Sequence, residues 1–272
     1  MILWIASYPK SGNTWVRALI STYLYSNDGK FSFDLLNSIP KFVQEKYFSP
    51  LVDLMILKKT PLKIADYWIS AQTRINLDNQ IKFFKTHNAN VSYKNKWFTD
   101  DANTKGYIYV VRDPRAVACS LASHSKISIE EAVNEILNDN QIGYNGKYKL
   151  AEIPGSWKIN YLSWKKKKNY NGIIIKYEDL IDNIEKEFKK ILFFLGENIE
   201  LEINKKKILN TINSCKFSNL SKMENLHGFK ESEKNKFFRK GTKDSWKDEL
   251  DLDLRKKIKN KFKNEMNELE YL

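Results

Sequence analysis

Four short runs of apolar residues stand out along the chain, separated by segments in which apolar residues recur every three or four positions. The apolar runs predict buried strands at Ile2–Ser7, Ile81–Thr86, Gly106–Val111 and Gly172–Tyr177. The spacing between them predicts helices at Thr14–Tyr25, Tyr67–Leu77, Pro114–His124, Ile129–Asn138, Trp157–Lys168 and Ile184–Leu195. Because strands alternate with helices, we predict an α/β fold with a central parallel sheet flanked by helices.

The last quarter of the chain departs from this alternation. Residues 196–250 are mixed and polar, with short helical stretches and a predicted irregular loop from Leu226 to Ser245. A final helix is predicted from Asp251, and its apolar residues are spaced to form one buried face: Leu254, Ile258, Phe262, Met266 and Leu269. No internal repeat or linker rich in Gly, Ser or Pro divides the 272 residues, so we expect one domain spanning 1–272.

Composition narrows the class of protein. The chain is 42% apolar, and its mean hydropathy of −0.55 leaves no room for a membrane span of about 20 apolar residues. The first apolar run lacks the basic flank of a signal peptide, so it is interpreted as a strand. Two cysteines, Cys119 and Cys215, cannot form a disulfide framework or a metal site by themselves, which favours a reducing, cytoplasmic location.

A formal net charge of +13 raises the hypothesis of a nucleic-acid partner. The densest lysine clusters, however, lie inside segments with helical spacing, where solvated faces are the simpler interpretation. Lysine is also abundant throughout the chain. We therefore expect no nucleic-acid partner, and we expect the basic surface to favour an anionic donor or acceptor.

The first predicted strand runs directly into residues 8–15, Tyr-Pro-Lys-Ser-Gly-Asn-Thr-Trp, and then into the first predicted helix. A strand, a tight turn and a helix start place backbone N–H groups and the positive end of a helix dipole around one point, which suits a phosphate group. The turn resembles a Walker A loop but lacks its leading glycine and its Gly-Lys-[Ser/Thr] ending. The sequence therefore predicts a phosphate site of another type at this turn.

The second predicted strand leads into Lys85, Thr86 and His87. Histidine titrates near neutral pH, so at the carboxyl end of a strand beside the phosphate loop it is suited to accept a proton from an acceptor hydroxyl. The alternative is a hydrogen-bonded structural histidine. We assign that structural role to His124 and His227, which have no comparable setting.

The third predicted strand is followed by Arg112, and Ser120 comes eight residues later in the next predicted helix. An arginine at the carboxyl edge of the sheet can make a bidentate contact with a phosphate, and a serine hydroxyl can add a donor. Alternatively, Arg112 could pair with a carboxylate such as Asp113 or Glu178. A third possibility is that Asp113 holds Mg²⁺ as in a P-loop kinase, but the preceding arginine and the incomplete phosphate loop argue against it. Nothing in the sequence requires a metal.

Residues 8–15 resemble the Tyr-Pro-Lys-Ser-Gly-Thr-Thr-Trp loop of the cytosolic sulfotransferase family, with Asn13 as the single departure. In that family the loop holds the 5′-phosphosulfate of 3′-phosphoadenosine-5′-phosphosulfate (PAPS). The resemblance implies a fold related to the P-loop NTPases. It assigns donor binding to the loop residues Lys10, Ser11, Gly12, Asn13, Thr14 and Trp15.

The next two strand ends are similar to the same family. Lys-Thr-His looks like its catalytic strand, which implies that His87 is the general base, that Lys85 assists the transferring sulfonate and that Lys10 stabilises the departing 5′-phosphate. The spacing from Arg112 to Ser120 resembles the family's 3′-phosphate site. ATP carries no phosphate at that position, so the pair would distinguish PAPS from ATP.

Two segments resemble the family's adenine site. Tyr177 opens a Tyr-Glu-Asp element, whose tyrosine approaches the adenine in the family, and Phe217 lies in a segment similar to the adenine-side segment. Residues 154–157, Pro-Gly-Ser-Trp, match a helix start that we interpret as structural. The resemblance thus implies that Tyr177 and Phe217 contact the base.

A closing loop completes the resemblance. Arg239, Lys240 and Gly241 match the start of the family signature that closes over the 3′-phosphate. Two adjacent cations followed by a glycine suit an anion clamp, because glycine permits close backbone approach. Asp244 and Ser245 replace residues usual in the signature, so the resemblance does not predict the loop geometry after Lys243.

The resemblance implies a PAPS-dependent sulfotransferase that moves a sulfonate group to a hydroxyl or amine of an acceptor and releases 3′-phosphoadenosine-5′-phosphate (PAP), without a metal. Residues 27–79 and 88–105 match no pattern, so the acceptor, a small molecule or a glycan, is open. The family's dimerisation motif is missing after Lys247, which leaves the oligomeric state open. A P-loop kinase using ATP and Mg²⁺ and a non-catalytic polyanion-binding protein stay as alternatives.

Overall fold

The structure is a computed structural model that describes residues 1–166, 169–229, 231 and 236–272. Its strands are β1 (Ile2–Ser7), β2 (Lys82–Thr86), β3 (Ser92–Tyr93), β4 (Lys96–Trp97), β5 (Thr104–Val111), β6 (Gly143–Asn145), β7 (Leu150–Glu152) and β8 (Asn171–Lys176). Four of them form the central sheet in the order β2-β1-β5-β8, with every neighbouring pair parallel. The predicted parallel sheet is confirmed.

The helices follow the predicted alternation and add short elements to it. They are α1 (Asn13–Tyr25), α2 (Glu45–Phe48), α3 (Leu54–Lys59), α4 (Trp68–Ile75), α5 (Pro114–Ser125), α6 (Ile129–Leu137), α7 (Trp157–Lys165), α8 (Tyr177–Asp182), α9 (Ile184–Gly196), α10 (Lys205–Ser214), α11 (Phe217–His227), α12 (Trp246–Glu249) and α13 (Leu252–Glu268). Two 3₁₀ helices span Phe33–Ser38 and Pro61–Tyr67. The helix predicted to reach Lys168 ends at Lys165, and Lys168 itself lies outside the described residues.

Strand β1 shows why its residues form a buried central strand. Its side chains alternate between two apolar layers: Trp4 packs into one layer, whereas Leu3 and Ile5 pack into the other. All six residues of β1 are buried. A strand covered on both faces needs apolar side chains at successive positions, which explains the continuous apolar run.

The helices that follow the strands begin at local capping signals. The Asp113 side chain accepts a hydrogen bond from the backbone N–H of Arg115 at the start of α5, with Pro114 as the first helical residue. Ser128 and Glu131 form a capping box at the start of α6. These caps fix where each chain segment turns from the carboxyl edge of the sheet.

The final helix buries the face that its spacing predicts. Leu254, Ile258, Phe262 and Met266 are all buried, and Leu269 is buried just beyond the end of the helix at Glu268. Phe262 has non-helical backbone angles, with φ −116° and ψ 18°, so α13 is kinked there. The spacing therefore predicts the buried face but not the kink.

Several elements were not predicted. The antiparallel pairs β3–β4 and β6–β7 lie outside the central sheet. The loop predicted at 226–245 begins later, because α11 extends to His227, and residues 230 and 232–235 of it lie outside the described residues. In the part of the chain that the structure describes, no helix is long and apolar enough to cross a membrane.

Candidate active site

The turn between β1 and α1 has a geometry that depends on its glycine. Gly12 precedes the first residue of α1 with a φ of +99°, and a Cβ atom there would lie 2.5 Å from Cδ2 of Tyr177. Lys10 also has a positive φ, 67°. Both conformations are uncommon for residues with a side chain. The turn therefore holds Lys10 at the carboxyl end of β1, beside the first turn of α1.

Asn13 and Thr14 occupy the first turn of α1, and both are buried. The Asn13 amide nitrogen donates to the carbonyl oxygen of Ile5 at 2.9 Å and to Oγ of Ser7 at 3.2 Å. The amide thus ties the helix start to the end of β1. Thr14 lines the cavity described below.

His87 lies at the carboxyl end of β2, next to the end of β1. Its Nδ1 is 2.9 Å from the carbonyl oxygen of Ser7 and 3.2 Å from Oγ of the same serine. The carbonyl oxygen of His87 accepts from the side-chain amide of Asn160 at 2.9 Å. Burial lowers the pKa of His87 to about 4, with Glu152 acting in the opposite direction. The imidazole is consequently fixed in orientation and neutral at pH 7.

A polar network that the sequence did not reveal forms the wall next to His87. Nζ of Lys41 is 2.6 Å from Oε2 of Glu152 and donates to Oδ1 of Asn145 at 2.5 Å. The Asn145 amide donates to the same Glu152 oxygen at 3.0 Å. Although burial alone would raise it, Lys41 and His87 hold the pKa of Glu152 at about 2. Glu152 is therefore a buried, charged carboxylate beside the imidazole.

Lys85 and Lys10 approach the same cavity from neighbouring strand ends. Nζ of Lys85 lies 2.6 Å from Glu231, whose other oxygen is 2.9 Å from Nη1 of Arg17. Burial, together with Arg17, lowers the pKa of Lys85 to about 8. Burial, together with Arg112 and Lys85, lowers the pKa of Lys10 to about 7. A bound anion would favour the charged form of both lysines.

These groups open onto one cavity of about 700 Å³, which we call the central cavity. Its lining includes Lys10, Thr14, Lys85, His87 and Glu152. The structure therefore brings together the loop and the Lys-Thr-His strand end. His124, interpreted from the sequence as structural, also lines this cavity, with its ring 6.2 Å from that of Phe237.

Arg112 does not form the carboxylate pair considered from the sequence. Its Nη1 donates to the carbonyl oxygen of Lys10 at 3.2 Å, and its guanidinium carbon lies 4.2 Å from the centre of the Tyr177 ring. Asp113 pairs instead with Arg115, and Glu178 accepts from the backbone N–H of Asp113. Arg112 is thus directed back toward the phosphate loop.

Three buried polar atoms near the loop have no hydrogen-bond partner within the described ranges: the acceptor Oδ1 of Asn13 and two atoms that can donate, Oγ of Ser11 and Nε of Arg112. Buried donors are normally satisfied, and each unsatisfied one costs about 1–3 kcal/mol. Oγ of Ser11 and Nε of Arg112 can both donate to an oxygen of a bound anion. Their lack of partners is consistent with a phosphate-bearing ligand that binds at this position.

Three aromatic side chains form the other side of the loop. The Trp15 ring lies 5.6 Å from Tyr177 and 5.9 Å from Phe217, both edge to face. Gly241 has a φ of +61°, and a Cβ atom there would lie 2.3 Å from the Phe217 ring. The predicted closing loop therefore reaches the predicted adenine residues at its glycine.

The predicted cations of the closing loop contact a carboxylate. Nη2 of Arg239 lies 3.0 Å from both oxygens of Glu249, and Nζ of Lys240 lies 2.8 Å from Oε1. Burial raises the pKa of the Cys119 thiol to about 12, while nearby Arg239 and Arg112 act in the opposite direction. Ser120, the next residue in α5, is half-buried.

The polar residues described above that escaped the sequence interpretation include Arg17, Lys41, Asn145, Glu152, Glu231 and Glu249. A sequence signal existed for Arg17, an arginine inside the apolar run of α1, where it is 2% exposed. Lys41 and Glu152 gave no signal, because they meet only through tertiary contacts. Lys41 is placed by a bridge between its backbone and that of Lys85.

A central parallel sheet with a tight, glycine-containing turn between its first strand and first helix defines a P-loop-like fold. Two solved structures share it over 97% of this chain. Mouse sulfotransferase SULT7A1 complexed with PAP matches with a TM-score of 0.63, 21% identity and 83% of that chain covered. Retinol dehydratase in complex with androsterone and PAP matches with a TM-score of 0.63, 16% identity and 80% covered.

The family follows from the sequence itself, since the family described as "Sulfotransferase domain" matches residues 2–270. Sulfotransferase 1B1 of Canis lupus familiaris is 27% identical over 96% of this chain and 82% of that protein. Cytosolic sulfotransferase 14 of Arabidopsis thaliana is 25% identical over 87% and 67%, respectively. The chain belongs to the sulfotransferase family, and the resemblance predicted from its motifs is confirmed.

Proposed function

We propose that this protein transfers the sulfonate group of PAPS to a hydroxyl or amine of an acceptor, with His87 as the general base. Family membership supports sulfonate transfer, and the PAP named for two neighbours of the same fold supports PAPS as the donor. The observation that carries the proposal is the contact of Nδ1 of His87 with the Ser7 carbonyl oxygen, 2.9 Å away, in the cavity lined by Lys10 and Lys85.

This contact determines which nitrogen of His87 can act as a base. A carbonyl oxygen only accepts hydrogen bonds, so Nδ1 of the neutral ring carries the proton and Nε2 carries the lone pair. Because burial lowers the pKa of His87 to about 4, the neutral form prevails at pH 7. Nε2 is therefore ready to accept the acceptor's proton.

PAPS supplies an activated sulfonate group with PAP as the leaving group. His87 takes up the acceptor proton at Nε2 while the acceptor oxygen bonds to sulfur and the bond from sulfur to the 5′-phosphate oxygen breaks. Lys10 and the N–H groups at the start of α1 stabilise the charge that develops on the departing phosphate. Lys85 stabilises the transferring group. The step needs no metal in this proposal.

The remaining predicted residues would hold the donor's nucleotide. Arg112 and Ser120 would bind the 3′-phosphate together with Arg239, Lys240 and Gly241. Ser11, Gly12, Asn13 and Thr14 would surround the 5′ end. Trp15, Tyr177 and Phe217 would contact the adenine. The unpartnered donor atoms of Ser11 and Arg112 support this assignment, because a bound anion would satisfy both.

Both apolar layers pack against the same sheet, which supports the proposal that residues 1–272 form one domain. Cys119 and Cys215 are free and buried, in keeping with the proposed reducing, cytoplasmic environment. Neither point bears on the acceptor.

Thermal unfolding with three nucleotides tests the donor assignment. PAP should stabilise the protein more than adenosine 5′-monophosphate, which lacks only the 3′-phosphate, and ATP with Mg²⁺ should add little. Labelled PAPS incubated with pools of acceptors should then release PAP and label an acceptor. Stabilisation by ATP and Mg²⁺ alone would contradict this proposal and would indicate a P-loop kinase instead.

A further inference from the structure

The acceptor side of the central cavity is polar where it meets His87. Lys41, Asn145 and Glu152 are joined by direct contacts of 2.5–3.0 Å, and Glu152 is 5% exposed. Lys41 and Asn145 are partly exposed, so an apolar acceptor against this wall would remove water from an ammonium and an amide without replacing the lost hydrogen bonds, which is unfavourable. A hydroxyl-rich acceptor would replace them.

Tyr144 continues this wall away from His87. It immediately precedes Asn145 in β6, and it is 56% exposed. An exposed tyrosine presents a flat apolar face and a polar hydroxyl, which is the combination that stacks against a sugar ring and also hydrogen-bonds it. Tyr144 is thus placed to hold the second unit of an acceptor whose first unit reaches His87.

A second cavity of about 460 Å³ begins at the same residue, and we call it the outer cleft. It is lined by Tyr144 and, on its far side, by Leu62, Lys63, Asp66, Tyr93 and Lys94. Lys63, Asp66 and Lys94 are exposed, and Nζ of Lys94 lies 5.7 Å from the centre of the Tyr93 ring. The outer cleft therefore resembles the wall beside His87, because in both an aromatic ring lies among side chains that can form hydrogen bonds.

We propose that the acceptor is an oligosaccharide. Its reacting hydroxyl lies at His87, the next sugar ring packs on Tyr144, and further units occupy the outer cleft. This inference rests on the proposed sulfonate transfer, but it concerns only the acceptor. The position of Tyr144 in the lining of both cavities carries it, because an acceptor that contacts this ring from the central cavity can extend past it into the outer cleft.

Binding and turnover of acceptors of different length and polarity test the proposal. The saccharide probes are N-acetylchitotetraose, a tetrasaccharide of alternating glucuronic acid and N-acetylglucosamine, and the disaccharide of each. A flavonol and a 3α-hydroxysteroid serve as comparisons, because relatives of this chain are named for them. Binding is followed by saturation-transfer NMR with PAP present, and turnover by PAP release from PAPS.

At least one tetrasaccharide should bind about tenfold more tightly than its disaccharide. Tyr144→Ala should remove that difference and leave PAP affinity unchanged. Phe193→Ala, which removes an aromatic ring that is 72% exposed outside both cavities, should change neither value.

The inference is overturned if neither tetrasaccharide binds, or if Tyr144→Ala leaves the tetrasaccharide affinity unchanged. Sulfonate transfer to the flavonol or the steroid alone would overturn it too, while leaving the proposed function intact. Failure of PAPS turnover together with failure of PAP binding would instead reject the proposed function. The NMR measurement reports on saccharide binding in either case.

Discussion

The cations assigned to the two ends of the donor differ in what surrounds them. At the strand ends, Lys10 lies 4.1 Å from the Phe237 ring centre, and within the described ranges it forms no ion pair, although the neighbouring Lys85 is paired with Glu231 at 2.6 Å. In the closing loop, Arg239 and Lys240 both contact Glu249 at 2.8–3.0 Å. A ligand phosphate would therefore bind at Lys10 without a competing carboxylate. At Arg239 and Lys240 it would compete with Glu249.

This difference separates two ways of binding an anion. Lys10 is half-buried. Desolvation, together with Arg112 and Lys85, lowers its pKa to about 7, so an arriving anion restores its charge. Arg239 and Lys240 are already paired with Glu249. The binding free energy of a phosphate is therefore only the difference between its own contacts with these cations and the contacts that Glu249 makes. We therefore expect the residues at the strand ends to contribute most to PAP affinity and to turnover. The residues of the closing loop should contribute less to both.

Replacing the proposed base should have the largest effect. His87→Asn should lower turnover by about 10²–10⁴-fold, the usual contribution of a general base, and leave PAP affinity within about twofold. Turnover is measured with any acceptor that the wild-type protein uses, and PAP affinity by calorimetry. His227→Asn, on the exposed end of α11, should behave as wild type. Normal turnover of the His87→Asn variant would show that His87 is not the general base.

Replacing the unpaired cation comes next. Lys10→Ala should weaken PAP binding by about 10–100-fold, since a hydrogen bond to a charged group contributes about 1.5–3 kcal/mol, and it should lower turnover as well. Lys58→Ala, an exposed lysine in α3, serves as the control. Equal PAP affinity of the two variants would show that the strand ends do not dominate.

The strand-end region was the part that the sequence predicted well. β1 and β5 are buried apolar runs and β2 has a buried Phe83-Phe84 pair at its centre. The parallel sheet brings the carboxyl ends of these strands to one edge. Lys10 and His87, which follow two of these strands, could therefore be placed at the same edge of the sheet from the sequence, although their order in the sheet was not predicted. The contact of Asn13 with Ser7 explains the one departure in the loop, but it needed side-chain geometry.

The groups that neutralise charge were not predictable in the same way. Glu249 reaches Arg239 from α12, and Glu152 reaches Lys41 from a short pair of strands with no apolar pattern. Such pairs join residues far apart or in irregular segments, and nothing in the spacing of single charged residues indicates them. The sequence accordingly predicted cations but not which carboxylates contact them.

The pH dependence of donor binding should distinguish the two regions. In the free protein Lys10 has a lowered pKa, about 7, so its charged form is lost as the pH rises through that value. Between pH 6.5 and 8.5 the charged fraction of Lys10 should therefore fall from about three quarters to about 3%, and kcat/KM for PAPS should fall with it by at least about 20-fold. Lys10→Arg should remove most of this fall, because arginine stays charged. A smaller fall of about fourfold should remain, since the pKa of Lys85, about 8, lies in the same pH range.

The 3′ end should show no such fall. The affinity ratio of PAP to adenosine 5′-monophosphate reports the 3′-phosphate alone, whose second pKa is about 6. Its proposed guanidinium partners stay charged, so the ratio should stay constant between pH 6.5 and 8.5. A ratio that fell in parallel with kcat/KM would mean that the two regions titrate together.

The smallest expected effect lies in the closing loop itself. Glu249→Gln should release Arg239 and Lys240, and partly exposed ion pairs are worth about 0.2–1 kcal/mol. PAP affinity should therefore rise by at most about fivefold, while affinity for adenosine 5′-monophosphate stays unchanged because that ligand lacks the 3′-phosphate. Asp248→Asn removes a neighbouring exposed carboxylate and is the matched control. A gain in PAP affinity for Glu249→Gln alone would show that the carboxylate competes with the ligand. A loss would show instead that Glu249 orients both cations for the phosphate, and the closing loop would then be as preorganised as the strand ends.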